Sequence, residues 1–407
     1  MSNGYVDLTF NTIEEAISDL RNGKLIIVVD DEKRENEGDF VGAGQFATPE
    51  MINFLMKEGR GLICVPMDPK LADKLNLYLM TDENTDTFST WFTISVDAKE
   101  GTTTGISAYD RSTTIRKLAS IDARPEDFNK PGHVFPLKAR KGGVITRQGH
   151  TEATVDLLKI AGLYPVGVIC EITNEDGTMA RRPQLFEIAK KFNLKIISIS
   201  QIVKYRWMNE RLVERIDDAF LPTKYGNFKI IGYQELISGK EHVAIVKGDV
   251  RNKENVIVRI HSECFTGDIL GSLRCDCGNQ LAFALQTMEE EGEGVLIYLR
   301  QEGRGIGLLN KIKTYKLQDQ GYDTVEANRK LGFPDDAREY GVAYQILKDL
   351  GVKSIRLMTN NPSKIRKIEE YGIIVNERIP IVVGINKYNE KYIRVKVEKM
   401  GHLIDLF

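Results

Sequence analysis

Short apolar runs of strand length alternate with amphipathic helical stretches along almost the whole chain, and that alternation restricts the architecture to mixed α/β. "KLIIVVD" (Lys24–Asp30) has the β-branched density of a buried strand and empties into the polar stretch "DEKRENEGDF". "GRGLICVPM", "WFTISVDA", "VGVICEI" and "KIISI" read as further strands. Between them, "EATVDLLKIAGL" (Glu152–Leu163) places apolar residues at 155, 157, 158 and 161 and stops at Gly162, the spacing of a helix. "PQLFEIAKKFNL" repeats that pattern. In the second half "VIVRIHSE", "GVLIYL" and "SIRLMT" are strand-like, whereas "NQLAFALQTMEEEG", "YGVAYQILKDLG" and "IRKIEEYGI" are helix-like. A chain of 407 residues accommodates two domains of ordinary size. The seam is expected in "QIVKYRWMNERLVERI", a short charged connection near Met208, giving globular domains 1–208 and 209–407 with a mixed α+β character.

Charge and composition narrow the function. With 58 acidic and 56 basic residues the formal charge is −2, which argues against a generic nucleic-acid binder with a basic face. No apolar run approaches the roughly 18 residues of a membrane span. The start has neither a basic region nor an apolar core of a leader peptide, and five cysteines in so long a chain do not form a disulfide framework. Reduced thiols and a cytoplasmic location are therefore expected.

Two stretches carry most of the chemistry in the first half. "DDEKRENEGDF" (Asp30–Phe40) puts six acids and two bases into a loop at a strand's carboxyl end, where α/β proteins place ligands. Glu35, Glu37 and Asp39 alternate, so an extended backbone would turn their carboxylates to one face, suited to a hard cation such as Mg²⁺. A solvated surface loop is the plain alternative. "RQGHTEA" (Arg147–Ala153) sets His150 and Thr151 at a helix start whose free N–H groups would bind an anion. Cys64 and Cys170 lie in apolar strand settings and read as core.

In order and spacing, "RENEGD", "TGISAYDR", "PGHVFPL", "RQGHTEA" and "CEI" resemble the 3,4-dihydroxy-2-butanone 4-phosphate synthases, from about Leu8 to Met208. The resemblance implies conversion of ribulose 5-phosphate, with loss of formate. It also implies that Glu35 and His150 hold Mg²⁺ or Mn²⁺, and that Arg34, Glu35, Asp39 and Arg147, Gln148, Gly149, His150 and Thr151 bind the sugar phosphate with Glu171. His133 and Glu171 would be the remaining essential residues. Moving protons beside a carbonyl needs such tunable acids and bases.

In the second half, "HSECFTGDILGSLRCDCGNQL" holds three cysteines, Cys264, Cys275 and Cys277, within fourteen positions. Soft thiolates select zinc over harder cations. Spacing alone leaves two readings open: a structural Cys₃His site completed by His261, or three ligands with a fourth position left for water. "RQEGRGIGLLNK" (Arg300–Lys311) is neither a Walker loop nor a dinucleotide fingerprint, yet its glycines and Arg304 suit a polyphosphate. "TNNPSK" (Thr359–Lys364) offers a second anion site.

These motifs, with "GYDTVEANRKLGF" and "DDAREY", resemble GTP cyclohydrolase II over about Asn209 to Phe407. By that resemblance Cys264, Cys275 and Cys277 bind zinc, which activates water for attack on C8 of guanine. GTP would be held by Arg259, Ile260, His261, Ser262, Glu263, Gln280, Glu302, Gly303, Arg304, Thr324, Thr359 and Lys364, with Mg²⁺ on the triphosphate. Asp336 would accept a proton and Tyr315 would lie near the reacting base. The family assigns Arg338 as a nucleophile, but guanidinium stays protonated, and stabilising departing pyrophosphate is the physically easier role. The resemblance further implies a homodimer. Together the halves describe a bifunctional enzyme of riboflavin biosynthesis; the alternatives are a chain with only one working half, or a zinc-stapled nucleic-acid-binding module.

Overall fold

The structure, a computed structural model, describes residues 9–334 and 336–404. The chain divides into two compact units between Arg206 and Trp207. The expected connecting segment is itself helical, Ile199–Asn209, because Ile202, Val203 and Trp207 bury one side of it. Among the described residues no helix is long and apolar enough to cross a membrane.

The first unit is built on seven strands: β1 (Ile26–Val29), β2 (Gly38–Ala43), β3 (Cys64–Met67), β4 (Val96–Ala98), β5 (Phe128–Lys138), β6 (Gly167–Glu171) and β7 (Lys195–Ser198). They lie in the order β4-β5-β3-β6-β2-β1-β7. Among the described residues of this unit only β1–β7 and β3–β5 pair in parallel. All four residues of β1 are buried, as a strand covered on both faces requires. Each such side chain contributes about 1.5–3 kcal/mol. The helix His150–Ile160 packs on β3 and β6 with every residue from His150 to Leu158 buried. Its two buried acids are compensated: Glu152 by Arg147 and the Arg140 N–H, Asp156 by Arg206 and the Val144 N–H.

Two local expectations change here. "WFTISVDA" is strand only over Val96–Ala98, since Phe92 and Thr93 make isolated bridges to Leu137 and Leu79. Glu35, Glu37 and Asp39 do not alternate along an extended segment. Asn36 is left-handed (φ 56°), Glu35 ends a turn, and Asp39 sits inside β2. The acids converge through that turn instead.

The second unit has β8 (Val213–Thr223), β9 (Gly226–Glu235), β10 (Glu241–Lys247), β11 (Val256–Ser262), β12 (Gly294–Leu299), β13 (Ser354–Met358) and β14 (Ile374–Ile379). Their order is β14-β13-β11-β12-β10-β9-β8. The four strands from β14 to β12 run parallel, and β10, β9 and β8 add an antiparallel meander. From β11 the chain first steps to β12 on one side and later crosses to β13 on the other. That reversal opens a crevice at the carboxyl ends of the strands, where open α/β sheets bind ligands.

Candidate active sites

In the first unit, β1 and β6 end, and β2 begins, at one edge of the sheet, because β2 runs antiparallel to both neighbours. Asp39 on β2 stands opposite Glu171 on β6. Asp30, buried just after β1, shapes the acidic loop: it accepts from the N–H groups of Glu35 (3.0 Å) and Glu37 (2.9 Å) and from Arg34 Nη1 (3.0 Å). Arg34 Nη2 lies 2.9 Å from Glu35 Oε1, and His150 Nδ1 is 3.8 Å from Glu35 Oε2. Glu171 Oε2 accepts from the Leu62 N–H at 2.8 Å.

This cluster gathers four carboxylates, Glu35, Glu37, Asp39 and Glu171, around one imidazole. Burial, reinforced by Glu171, Glu35 and Glu37, lifts Asp39 to about 7 despite His150. Burial alone would lower His150, but Asp39 and Glu35 outweigh it and hold the ring up at about 9. His150 Nε2 and Asp39 Oδ1 are buried without a hydrogen-bond partner among the described residues. Surplus negative charge with an orphaned nitrogen and oxygen fits a divalent cation.

The anion-binding side is built as well. The helix at His150 opens on Gly149, with no side chain capping its N–H groups. Gln148 is exposed and Thr151 buried. Arg147 is committed elsewhere, its Nη1 to Glu152 (2.6 Å), its Nη2 to Thr90 and its Nε to Phe88 O. His133 lies on β5, two strands from Glu171 and so roughly 10 Å away across the sheet. Its Nδ1 is 2.7 Å from Asp97 Oδ2, and its N–H donates to Asp97 Oδ1. Asp97, which fixes that ring, belongs to no motif and was not anticipated.

In the second unit a cleft of about 1100 Å³, partly open to solvent, lies at the strand ends. Arg259, His261, Ser262 and Glu263 enter it from β11, Glu302, Gly303 and Arg304 from the turn after β12, and Thr359 and Lys364 from beyond β13. Gln280, Tyr315, Thr324, Arg338 and the three cysteines complete the expected lining. Ile260 is not part of it. That side chain is buried in the sheet, and only its carbonyl takes part, accepting from Lys364 Nζ at 2.7 Å. Asp336 sits one step back, gripping Arg338 through Nε (2.8 Å) and Nη2 (2.5 Å).

The sulfur atoms of Cys264, Cys275 and Cys277 lie within 4.8 Å of one another, and the first two are 3.6 Å apart. Sulfurs tetrahedrally bound to zinc at 2.3 Å are about 3.8 Å apart, so the donor set fits that ion. Hydrogen bonds among the thiols, with Lys311 adding its charge, push Cys264 down toward the thiolate. His261 does not join as a fourth ligand. Its Nε2 is 3.1 Å from both oxygens of Asp268, and it stacks on Tyr298. Asp268 also accepts from the Cys264 N–H (2.9 Å) and the Tyr298 hydroxyl (2.9 Å). Glu302 ties the cysteine loop to the glycine-rich turn, accepting from the N–H groups of Phe265 (2.6 Å) and Gly303 (2.8 Å) and from Lys311 Nζ (2.8 Å). In that turn Gly303 and Arg304 are both left-handed, and a Cβ on Gly305 would meet Ala337 O at 2.9 Å. The turn therefore sits directly against the Asp336–Arg338 segment. Asp268 and Lys311 lie inside two of the motifs but were given no role, and Lys396 and His402 lie beyond every motif.

A family model described as 3,4-dihydroxy-2-butanone 4-phosphate synthase matches residues 14–205, and one described as GTP cyclohydrolase II matches residues 214–380. The riboflavin biosynthesis protein RibBA of Aquifex aeolicus is 57% identical over 400 residues, covering 98% of each chain. RibBA of Bacillus subtilis is 56% identical over 396 residues, covering 97% of this chain and 99% of the relative. A solved structure of RibBX, a two-domain 3,4-dihydroxy-2-butanone 4-phosphate synthase from A. baumannii, superposes with a TM-score of 0.71 at 36% identity. It covers 92% of this chain and 100% of that one.

Proposed function

Since the chain belongs to the bifunctional RibBA family of riboflavin biosynthesis, joining a 3,4-dihydroxy-2-butanone 4-phosphate synthase to a GTP cyclohydrolase II, we propose how its two sites divide the work. The first unit acts on ribulose 5-phosphate and the second on GTP. The observation that carries this is the pair of unlike donor sets: four carboxylates around His150 in one unit, three thiols at the mouth of a cationic cleft in the other.

In the synthase site Glu35 and His150 hold the divalent cation, with Asp39 facing the same space. When bound, that ion polarises the sugar's carbonyl and hydroxyl oxygens. His150 and Thr151 present N–H groups to the phosphate at the helix start, Arg34 faces the sugar and Arg147 braces the loop, its carbonyl accepting from the Gly149 N–H. Glu171 and His133 move protons at the carbons beside the carbonyl, and Asp97 keeps the His133 ring oriented.

In the cyclohydrolase site Cys264, Cys275 and Cys277 hold zinc, which supplies the Lewis acid that makes water nucleophilic at neutral pH. Arg259 donates to Gln280 Oε1 and sets the amide that reads the base. Tyr315 approaches the same region, its hydroxyl 3.0 Å from Thr266 Oγ1. Lys364, Thr359, Arg304 and Arg338 receive the phosphates. Asp336 is held down at about 2, because its bonds to Arg338 outweigh the opposing effect of burial. It becomes a useful proton acceptor when Arg338 turns to the α-phosphate, which links proton acceptance to phosphate binding. Divalent cation on the triphosphate completes the neutralisation.

A homodimer is part of this reading. Exposed Ile269, Leu270 and Leu273 beside the cysteines, and Leu309 and Ile312 on the helix Leu308–Asp319, supply apolar surface for a second copy. Sedimentation would report it.

The test is to assay the two activities separately in wild type, Glu35→Ala and Cys275→Ser. Each variant should lose one activity and keep the other. A wild-type chain inert toward either substrate overturns the bifunctional reading in favour of one working half.

A further inference from the structure

The carboxyl-terminal tail forms a wall of the GTP cleft. The helix Glu390–Glu398 and the turn after it fold back over the strand ends. The Leu403 N–H donates to Asn360 O at 2.8 Å, next to Thr359 at the end of β13. Lys399 pairs with Asp323 and Glu326 at the start of the helix Thr324–Lys330. Arg304 of the glycine-rich turn lies 5.9 Å over the Tyr392 ring, and its Nη1 is 3.1 Å from Met400 Sδ. These contacts bring Tyr392, Lys396 and His402 onto the cleft lining.

Two of the tail's polar groups differ sharply in what they already touch. Lys396 is spent: its Nζ is 2.7 Å from Asp276 Oδ1, and Asp276, between two of the cysteines, also accepts from Gln280 Nε2. The His402 ring makes no hydrogen bond among the described residues. Instead it lines the cleft together with Lys396, Arg304, Arg338 and Lys364, whose charges reach it. Burial first, and then these four cations, hold the ring down at about 3, so it is neutral at any working pH. A neutral imidazole keeps one N–H to donate. At the mouth of a cleft lined by these basic side chains, that N–H awaits a polyanion.

We propose that His402 is a substrate-binding residue, donating a ring N–H to the polyphosphate chain of GTP from a tail that closes the cleft. The inference rests on the assignment of this cleft to GTP. It adds a contact from a segment that lies beyond every motif read from the sequence. The tail thereby senses the phosphates and leaves the base to Gln280 and the cysteine loop.

The experiment uses the full-length, zinc-loaded enzyme with His402→Ala and His402→Gln. It measures the KM for GTP and inhibition of GTP turnover by two fragments, tripolyphosphate and guanosine. A hydrogen bond to a charged group is worth about 1.5–3 kcal/mol, so His402→Ala should weaken tripolyphosphate and raise the KM roughly tenfold or more. Guanosine inhibition, zinc content and synthase activity should stay unchanged. His402→Gln, which keeps an N–H donor, should recover most of the loss. Tripolyphosphate inhibition unchanged in His402→Ala overturns the proposal. So does an equal weakening of both fragments, which would make the tail a mere prop. A wild-type enzyme that neither turns over GTP nor binds either fragment overturns the cleft assignment itself, and the proposal with it.

Discussion

Replacing Arg338 by alanine separates two readings of how GTP loses pyrophosphate. A guanidinium that attacks the α-phosphate must first give up its proton. From an ordinary pKa of 12.5 the neutral fraction at pH 7.5 is about 10⁻⁵, a cost of about 7 kcal/mol before any local effect. The structure adds to that cost. Burial disfavours the charged guanidinium, but Tyr340 and the paired Asp336 carboxylate more than offset it and hold Arg338 above its ordinary value. Nε and Nη2 are also both occupied by Asp336, at 2.8 Å and 2.5 Å. As a cation facing the departing pyrophosphate, Arg338 incurs none of this penalty. The loss from Arg338→Ala should then resemble that of a single transition-state donor, roughly 10²–10³ in kcat. Rapid-quench turnover should show no covalent nucleotidyl intermediate, and guanidinium ion in solution should restore part of the rate. Mass-spectrometric recovery of a nucleotidyl adduct on Arg338 from quenched wild type would refute the argument outright.

Four further outcomes follow from the geometry. Chelation of zinc, or Cys275→Ser, should abolish GTP hydrolysis by more than about 10³-fold and leave synthase activity intact; a parallel loss of both would contradict two separate sites. His261→Ala should keep its zinc, measured by metal analysis, while GTP turnover falls about 10–100-fold; loss of the ion would reinstate the Cys₃His reading. With His150 held at about 9, a divalent cation must displace a proton. Mg²⁺ affinity in the synthase half should therefore rise roughly tenfold per pH unit up to about 9 and level above it, with proton release in calorimetry; a pH-independent affinity would dismiss His150 as a ligand. In Gly61→Ala the new Cβ would lie 2.5 Å from Glu171 Oε2 and 2.6 Å from Glu171 O, so Glu171 must move. Synthase activity should drop about tenfold or more with GTP hydrolysis unaffected, and an unchanged rate would argue against a role for Glu171.

The sequence carried more of the sites than of the scaffold. β11, β12 and β13 announce themselves as short, largely apolar runs, and each delivers a motif at its carboxyl end. β2 was hidden, because "GDFVGA" has two glycines and follows five acids that look solvent-bound. β5 contains Pro131 and Pro136, which argue against a strand, yet it pairs with β4 on one side and β3 on the other. The β8–β9 hairpin is partly exposed, and its charged face does not alternate cleanly. The orienting residues were harder still. Asp97 lies 36 positions from the His133 it grips, and Lys396 lies 120 from its partner Asp276. A single sequence registers what stands next to a motif, and these partners are adjacent only after folding.

The bonds of Asp268 and Glu302 bear on when the cyclohydrolase centre is assembled. Both carboxylates clasp the backbone around Cys264 through N–H groups, and neither uses a sulfur to do so. The thiol cradle is therefore held by the fold, unlike that of a zinc finger, which the ion must organise. Affinity for the ion need not be spent on ordering the chain. A stripped enzyme should then stay folded, melting lower only by the binding energy of the lost ion, and regain activity as fast as ligands exchange, with no refolding lag. The metal would be the last part fitted to a finished socket.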